Sequence, residues 1–256
     1  MPVDNYTKPP LLKPLLLLLP LSFVLLLLLL VHRSDPSSPQ PGSFASSSSS
    51  SSSSHGSPLI RMRRTFRSYD EYLKLQLNKT LDPRLRRVWA TRDWERKVNA
   101  FARFFARHAA LGLLSNASRA LCVGARLGQE VAALRRIGVA AALGIDLAPA
   151  PPLVAEGDFH AQPFADASFD FEFSNVFDHA LYPDRFAAEI QRTLRPGGVA
   201  VLHVALHRRG DKYSANDILG LDGVLALFNR SHLLRVSKID AFGLDTELIL
   251  RKNMND

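Results

Sequence analysis

The stretch ALCVGARLGQEVAALRRIGVAAALGID, residues 120–146, predicts a strand, a glycine turn, a helix and a second strand that ends at an acid. Its first four residues, 120–123, are apolar and predict the first strand. The helix 129–137 ends before Gly138, a residue type that often terminates helices. The second strand, 140–145, leads into Asp146. This order of elements is typical of the first half of a nucleotide-binding α/β domain.

The glycine turn and the acid each suit a nucleotide ligand. Gly124 and Gly128 lie at the start of the helix, where glycines let backbone N–H groups approach a ligand, or simply permit a tight turn. Asp146 suits a ribose diol, and the other interpretation, a helix N-cap, is disfavoured because Leu147-Ala-Pro is a poor helix start. Arg126 stands where such turns often keep a glycine, so the stretch alone leaves the ligand undefined.

Charge is concentrated in one part of this 256-residue chain, whose formal net charge is +8. Residues 61–107 hold fourteen Lys and Arg against five Asp and Glu, a surplus of nine. Such a patch marks a membrane surface, a nucleic-acid site or, as we expect here, a solvated helix face, and no nucleic-acid partner is predicted. The lone cysteine, Cys122, excludes an intramolecular disulfide framework and a cysteine-based zinc site, and no metal is predicted.

The N-terminal part of the chain predicts attachment to a membrane. After a tail of residues 1–10, residues 11–31 are almost pure leucine and long enough to span a bilayer as an uncleaved signal anchor. A cleaved signal peptide is the alternative, but the apolar run is longer than usual and no small-residue cleavage site follows it. The slight excess of lysine before the span favours a cytosolic N-terminus and therefore a domain in the lumen of the endoplasmic reticulum or Golgi.

Residues 32–58 predict a disordered stalk, because they are rich in proline and serine and include nine consecutive serines. N-glycosylation sequons occur at Asn5, Asn78, Asn116 and Asn229. The first would lie across the membrane from the other three. The three downstream sequons are consistent with a lumenal domain.

Two further segments follow the stalk. Residues 59–115 predict a basic extension with two or three helices, and residues 116–256 predict the α/β domain. This domain holds seven strand candidates that alternate with helices, which implies a doubly wound parallel sheet with helices on both faces. The last two strands are too close together for a crossover helix, so we expect them to pair antiparallel.

Four motifs carry a resemblance to a known family: VGARLG at 123–128, GID at 144–146, GDFHAQPFADASFDF at 157–171 and LRPGG at 194–198, the last followed by VAVLHVA. In this order and spacing they resemble class I S-adenosylmethionine-dependent methyltransferases, particularly the type 11 group, from about residue 119 to 252. The resemblance implies a Rossmann-like sheet, S-adenosylmethionine as cofactor, and methyl transfer to an acceptor that the sequence does not define. The whole chain is similar to plant membrane-anchored methyltransferase-like proteins.

The resemblance also implies which residues hold the cofactor. The glycine turn would pass under its methionine part, and the acid after the second strand would accept hydrogen bonds from the ribose hydroxyls. The acid and the aromatic residue after the third strand would meet the adenine, and the polar pair at the end of the fourth strand would surround the transferred methyl. These positions are Gly124, Arg126, Gly128, Asp146, Leu147, Asp158, Phe159, Ser174 and Asn175.

Two positions depart from the family pattern. Cys122 replaces an acid of the first strand that would help to orient the cofactor's amino group, and a thiol does not supply that charge. Arg126 replaces a glycine. Its side chain either blocks the methionine pocket or turns inward to pair with the methionine carboxylate, a charge-assisted contact that we favour.

Methyl transfer mainly needs a positioned acceptor and the exclusion of water, with a general base only if the acceptor must lose a proton. His179, just after the fourth strand, is the candidate base, and His203 and His207 are weaker candidates. The alternative function is a catalytically degenerate methyltransferase fold that acts as a binding or scaffold module. A nicotinamide-dependent reductase is disfavoured because no Tyr-x-x-x-Lys motif is present.

Overall fold

A seven-stranded sheet forms the centre of the protein and buries one hydrophobic core on each face. The computed structural model describes residues 59–207 and 210–255. The predicted tail, anchor and stalk, residues 1–58, lie outside the described residues. The strands in chain order are β1 (Ile60–Met62), β2 (Ala120–Val123), β3 (Ala142–Asp146), β4 (Val154–Glu156), β5 (Phe169–Ser174), β6 (Leu194–Val204), β7 (Asn216–Ile218), β8 (Ser231–Ala241) and β9 (Leu244–Lys252).

The first helices begin at residues that satisfy free backbone N–H groups. Ser68 Oγ accepts from the N–H of Glu71 at 3.2 Å, and Asp82 accepts from two backbone N–H groups of the next helix at 2.8 and 3.1 Å. Among the residues that the structure describes, no helix has both the length and the apolar character needed to cross a membrane. The helices are α1 (Tyr69–Thr80), α2 (Pro83–Ala90), α3 (Trp94–Ala110), α4 (Gln129–Arg136), α5 (Pro183–Thr193) and α6 (Leu221–Leu227), with a 3₁₀ turn at Phe177–His179.

The sheet has the strand order β4-β3-β2-β5-β6-β9-β8. The strands from β4 to β6 run parallel, and β9 is antiparallel to both of its neighbours. The chain moves outward from β2 to β4 and then returns to place β5 on the other side of β2, and at such a reversal a crevice opens beyond the carboxyl ends of the strands. The predicted seven-stranded, mostly parallel sheet with an antiparallel last pair is therefore confirmed.

Some elements differ from the sequence prediction. The strands β1 and β7, which form a separate two-stranded sheet, and the helix α6 are additional. The strand β6 begins at Leu194, before the Pro-Gly-Gly segment, because Leu194 already pairs with Phe169. Val199 pairs with Phe171, so the Pro-Gly-Gly segment before it bulges out of register with β5.

The helices of the basic extension pack on both faces of the sheet. On one face, α3 buries Phe105 against Phe173 of β5, with ring centroids 5.1 Å apart. On the other face, α1 buries Tyr72, whose hydroxyl donates to the backbone carbonyl of His179 at 3.0 Å. The extension thus contributes to both cores and reaches the carboxyl edge of the sheet.

One carboxyl group lies deep inside the sheet. Glu172 of β5 is 1% exposed, and its Oε1 accepts from the Thr193 hydroxyl at 2.6 Å. Burial raises the pKa of Glu172 to about 8, although hydrogen bonds from Thr193 and Gln162 oppose the rise. The folded protein therefore favours the uncharged form of this acid near neutral pH.

We expect Glu172→Gln to remove part of the pH dependence of stability. Because the folded pKa lies above the unfolded one, the stabilisation from the bound proton is complete below pH 4.5 and is lost as the pH rises toward 8. The loss is at most about 1.4 kcal/mol per pH unit. Urea unfolding between pH 5 and 8 measures it: the variant should show the shallower decline, and Glu156→Gln, at an exposed glutamate, should follow the wild type. Parallel curves for wild type and Glu172→Gln would contradict the expectation.

Candidate functional site

Two adjoining clefts lie at the carboxyl edge of the sheet. The first has about 440 Å³ of empty space, partly open to solvent, and the second has about 630 Å³. Arg126 and His179 line both clefts and so form their shared wall. The first is also lined by Gly124, Asp146, Leu147 and Phe159, and the second by Lys97, Asn175, Asp211 and Phe242.

The turn between β2 and α4 is built on three residues in the left-handed region. Their φ angles are +75° at Gly124, +51° at Arg126 and +89° at Gly128. A Cβ at Gly124 would run into the side chain of Val176, and a Cβ at Gly128 would lie 2.7 Å from the Cβ of Leu153. Both glycines are therefore required by the turn itself, whether or not a ligand is bound. A side chain at φ +51° costs about 1–2 kcal/mol, which is the physical reason that a glycine suits position 126.

Asp146 braces this turn. Its Oδ2 accepts from the backbone N–H of Arg126 at 2.9 Å and its Oδ1 from that of Ala148 at 3.2 Å. Burial raises the pKa of Asp146, whereas the two N–H groups and the Arg126 charge oppose the rise. Each carboxylate oxygen keeps a further lone pair, so Asp146 can hold the turn and accept from a ligand hydroxyl at the same time.

The side chain of Arg126 extends over an aromatic ring. Its guanidinium carbon lies 5.3 Å from the ring centroid of Trp89 in α2, a cation–π arrangement. Within residues 59–207 and 210–255, no carboxylate forms an ion pair with it. The positive charge thus lies in the shared wall of the clefts without a neutralising acid of its own.

The predicted adenine residues lie in two different environments. Phe159 lines the first cleft and packs on Phe186, with ring centroids 5.0 Å apart. Asp158 already accepts hydrogen bonds from the backbone and Nδ1 of His160, at 2.8 and 3.0 Å, and from the hydroxyl of Tyr69. Burial opposes ionisation of Asp158, but these bonds outweigh it and lower its pKa. An adenine amine would therefore share Asp158 with Tyr69 and His160, two residues that the sequence motifs did not single out.

Ser174 and Asn175, the polar pair at the end of β5, also lie in different environments. Ser174 is fully buried, where its hydroxyl donates to the carbonyl of Val123 at 3.1 Å, so it supports the strand edge. Asn175 lines the second cleft, and its Nδ2 donates to Oε1 of Glu130 at 3.1 Å. The structure thus gives Asn175 access to a ligand and gives Ser174 a bracing contact.

Of the three candidate bases, only His179 lies in the clefts. Its Nδ1 is 3.2 Å from Oε1 of Gln76, and its Nε2 is 3.7 Å from Oδ1 of Asp211. Burial lowers the pKa of His179, which favours the neutral imidazole. His203 is buried elsewhere, with Nε2 2.9 Å from Oε2 of Glu247, and His207 is exposed.

Several residues of the clefts were not identified from the sequence. The helices before β2 supply Gln76, Lys79 and Lys97. Glu130, in the first turn of α4, adjoins the second cleft through its hydrogen bond with Asn175. Glu130 had a detectable signal, an acid two residues after the second glycine of the turn. The helix residues had none, because only the folding of α1 and α3 over the sheet brings them there. No group of three or more His, Cys, Asp or Glu side chains suited to a metal occurs in the described part of the chain.

Comparisons with known proteins agree with this geometry. Residues 121–202 match the profile of the methyltransferase domain family. The match identifies residues 121–202 as a methyltransferase domain. Among curated proteins, none matches the sequence significantly.

Several solved structures align with this chain. The 1,6-didemethyltoxoflavin-N1-methyltransferase of Burkholderia thailandensis, solved with 1,6-didemethyltoxoflavin and S-adenosylhomocysteine bound, aligns with a TM-score of 0.57 at 17% identity, over 75% of this chain and 94% of that one. A SAM-dependent methyltransferase of Methanosarcina mazei aligns with a TM-score of 0.45 at 15% identity, over 57% and 97% of the two chains. The [4+2]-cyclase SpnF aligns with a TM-score of 0.47 at 18% identity, over 59% and 80%. At 17% identity and a TM-score of 0.57, the likeness to the Burkholderia thailandensis enzyme supports the fold alone.

We expect Gly124→Ala to destabilise the methyltransferase domain more than Gly112→Ala does. Both glycines have positive φ, but nothing lies within 4 Å of a Cβ at Gly112, whereas one at Gly124 meets Val176. The overlap should cost about 1–3 kcal/mol beyond the conformational penalty that both variants share. Urea unfolding measures the difference, and Val176→Ala in the Gly124→Ala background should recover part of it. Equal losses at the two glycines would contradict this explanation.

Proposed function

We propose that this protein is a membrane-anchored methyltransferase that binds S-adenosylmethionine in the first cleft and its methyl acceptor in the second. The observation that carries the proposal is the wall that the two clefts share, Arg126 and His179, at the carboxyl edge of a methyltransferase domain. A donor and an acceptor that meet at one wall have the proximity that group transfer requires.

The first cleft suits the cofactor in several respects. Gly124 lines this cleft at the start of the turn, and Asp146 offers carboxylate lone pairs at the end of β3 for ribose hydroxyls. Leu147 and Phe159 supply apolar wall for the adenosine. When bound, the cofactor supplies a methyl group on a sulfonium, which is already an excellent leaving group. The protein then has to position the acceptor and exclude water.

His179 is suited to take a proton from the acceptor. Gln76 Nε2 donates to the carbonyl of Tyr213 at 3.0 Å, so Gln76 presents its oxygen to His179 Nδ1, which must then carry the hydrogen. This tautomer leaves Nε2 free to accept a proton. Asp211, 3.7 Å away, would stabilise the resulting imidazolium. The arrangement serves an acceptor that loses a proton on methylation.

A small molecule is the proposed acceptor. The second cleft combines the aromatic ring of Phe242 with the polar side chain of Asn175, a mixture of apolar wall and polar groups that suits a small molecule. The Burkholderia thailandensis enzyme, which shares the fold, was solved with a small molecule and S-adenosylhomocysteine bound. These features support a small-molecule acceptor without identifying it.

The proposed location is an endomembrane, with the methyltransferase domain in the lumen of the endoplasmic reticulum or Golgi. The leucine-rich run 15–31 within the predicted anchor 11–31, and Lys8 and Lys13 before that run, support this orientation. The asparagines of the three downstream sequons, Asn78, Asn116 and Asn229, are all exposed. Exposure makes them accessible to glycosylation if the domain is lumenal.

The second candidate is a methyltransferase fold retained for binding alone. It is favoured by the neutral thiol of Cys122, whose pKa is raised by burial, and by the strained backbone of Arg126. Binding of the demethylated cofactor tests whether Arg126 blocks the methionine pocket or assists binding. Turnover with a methyl acceptor tests whether the protein is an enzyme or a binding module.

Calorimetry with S-adenosylhomocysteine tests the role of Arg126. We expect the wild type to bind, and Arg126→Gly and Arg126→Asn to bind about tenfold more weakly, because each removes a charge that pairs with the methionine carboxylate. Asn also tolerates positive φ, so agreement between the two variants separates the loss of charge from added backbone freedom. No heat from the wild type with binding restored in Arg126→Gly would reject the cofactor proposal in favour of blockage.

Glycan analysis tests the orientation. We expect the full chain, expressed in a eukaryotic cell, to migrate faster in gel electrophoresis after endoglycosidase treatment. Exposed sequons in the lumen are accessible to the glycosylation machinery. Single Asn→Gln variants at Asn78, Asn116 and Asn229 assign the glycans, and Asn5→Gln, across the membrane, is the matched control. An unglycosylated domain that protease digests on intact vesicles would overturn the lumenal orientation.

A further inference from the structure

A buried acid beside the glycine turn has half of its hydrogen-bonding capacity unused. Glu130, in the first turn of α4, is 6% exposed. Its Oε1 accepts from Nδ2 of Asn175 at 3.1 Å, whereas its Oε2 has no hydrogen-bond partner among the described residues. Burial raises the pKa of Glu130, and the charges of Arg126 and Lys97 oppose that rise. Buried carboxylates are ordinarily satisfied, so the free oxygen points to a missing donor.

Two cations near this acid also lack carboxylate partners. Lys97 and Arg126 line the second cleft, and in the described part of the chain neither takes part in an ion pair. Burial and the nearby charge of Arg126 lower the pKa of Lys97 to about 8. The two acids that line the second cleft already have other partners. Asp178 accepts from the Ser214 hydroxyl, and Asp211 pairs with Lys79 at 2.5 Å.

A buried acid with a free oxygen and two unpaired cations form a complementary set for a zwitterion. We infer that Glu130 accepts the ammonium of an α-amino acid group while Arg126 and Lys97 receive its carboxylate. Under the proposed function, on which this inference rests, that group is the methionine part of the cofactor, which would extend from the first cleft past Arg126 toward Lys97 of the second. Glu130 then supplies the negative charge that the first strand lacks, since burial keeps the thiol of Cys122 neutral.

A purely structural role makes a different prediction. If Glu130 only anchors Asn175, its removal lowers stability but does not change how the protein discriminates between ligands with and without an amino group. Glu130→Gln keeps the size of the side chain and an oxygen for Asn175 and removes the negative charge. Glu95→Gln is the matched control, because Glu95 is a largely exposed glutamate that pairs with Arg136 at 3.1 Å, away from the clefts.

The experiment is calorimetry on the full chain in detergent with two ligands. One is S-adenosylhomocysteine, and the other is the same molecule with hydrogen in place of the α-amino group. We expect the wild type and Glu95→Gln to bind S-adenosylhomocysteine at least about tenfold more tightly than the des-amino analogue, as for the loss of one hydrogen bond to a charged group. Glu130→Gln should bind both ligands with nearly the weak affinity of the wild type for the analogue.

The outcomes separate this inference from the proposed function. If the wild type fails to bind S-adenosylhomocysteine, both fall. If it binds but Glu130→Gln discriminates between the ligands as the wild type does, only the role of Glu130 falls. Circular dichroism reports whether Glu130→Gln folds. Should it not fold, the wild type still tests the inference, because a preference for the amino ligand smaller than tenfold overturns it.

Discussion

One hydrogen bond joins the elements on which the site depends, the bond from the backbone N–H of Arg126 to the carboxylate of Asp146, at 2.9 Å. It ties the turn after β2 to the end of β3, and the turn holds three left-handed residues. Asp146 satisfies a backbone N–H group of the turn that would otherwise be unpaired beside the sheet. The turn can therefore keep this conformation without another partner for that group. The position of α4, and with it Glu130, follows from this turn.

The charges of the clefts come from different parts of the chain. The acids Asp146 and Glu130 belong to the α/β domain, whereas Lys79 and Lys97 come from the helices before it. Several of these groups are buried, and a buried charge without a partner is unfavourable unless a ligand completes it. The basic extension therefore lines the clefts as well as covering the hydrophobic cores.

The extension is also joined to the adenine side of the first cleft. The Tyr69 hydroxyl contacts both Asp158 and, at 2.7 Å, Nδ1 of His160, and the rings of Tyr69 and Tyr182 stack with centroids 5.9 Å apart. Burial raises the pKa of Tyr69, so its hydroxyl stays a donor. A movement of α1 would therefore change the hydrogen bonds of Asp158, the acid that the sequence predicts to meet the adenine.

The sequence by itself determined the order of strands and helices, the antiparallel last pair of the sheet, and the glycine turn that ends near Asp146. These follow from local patterns: apolar periodicity, glycine positions and the short link before β9. Tertiary structure decided how the site is completed. Lys97, Gln76 and Tyr69 carry no local signal for a cleft, since their positions depend on how α1 and α3 pack on the two faces of the sheet. The free oxygen of Glu130 and the separate environments of Ser174 and Asn175 became visible only when burial and partners were known, because hydrogen-bond satisfaction is a property of neighbours in space.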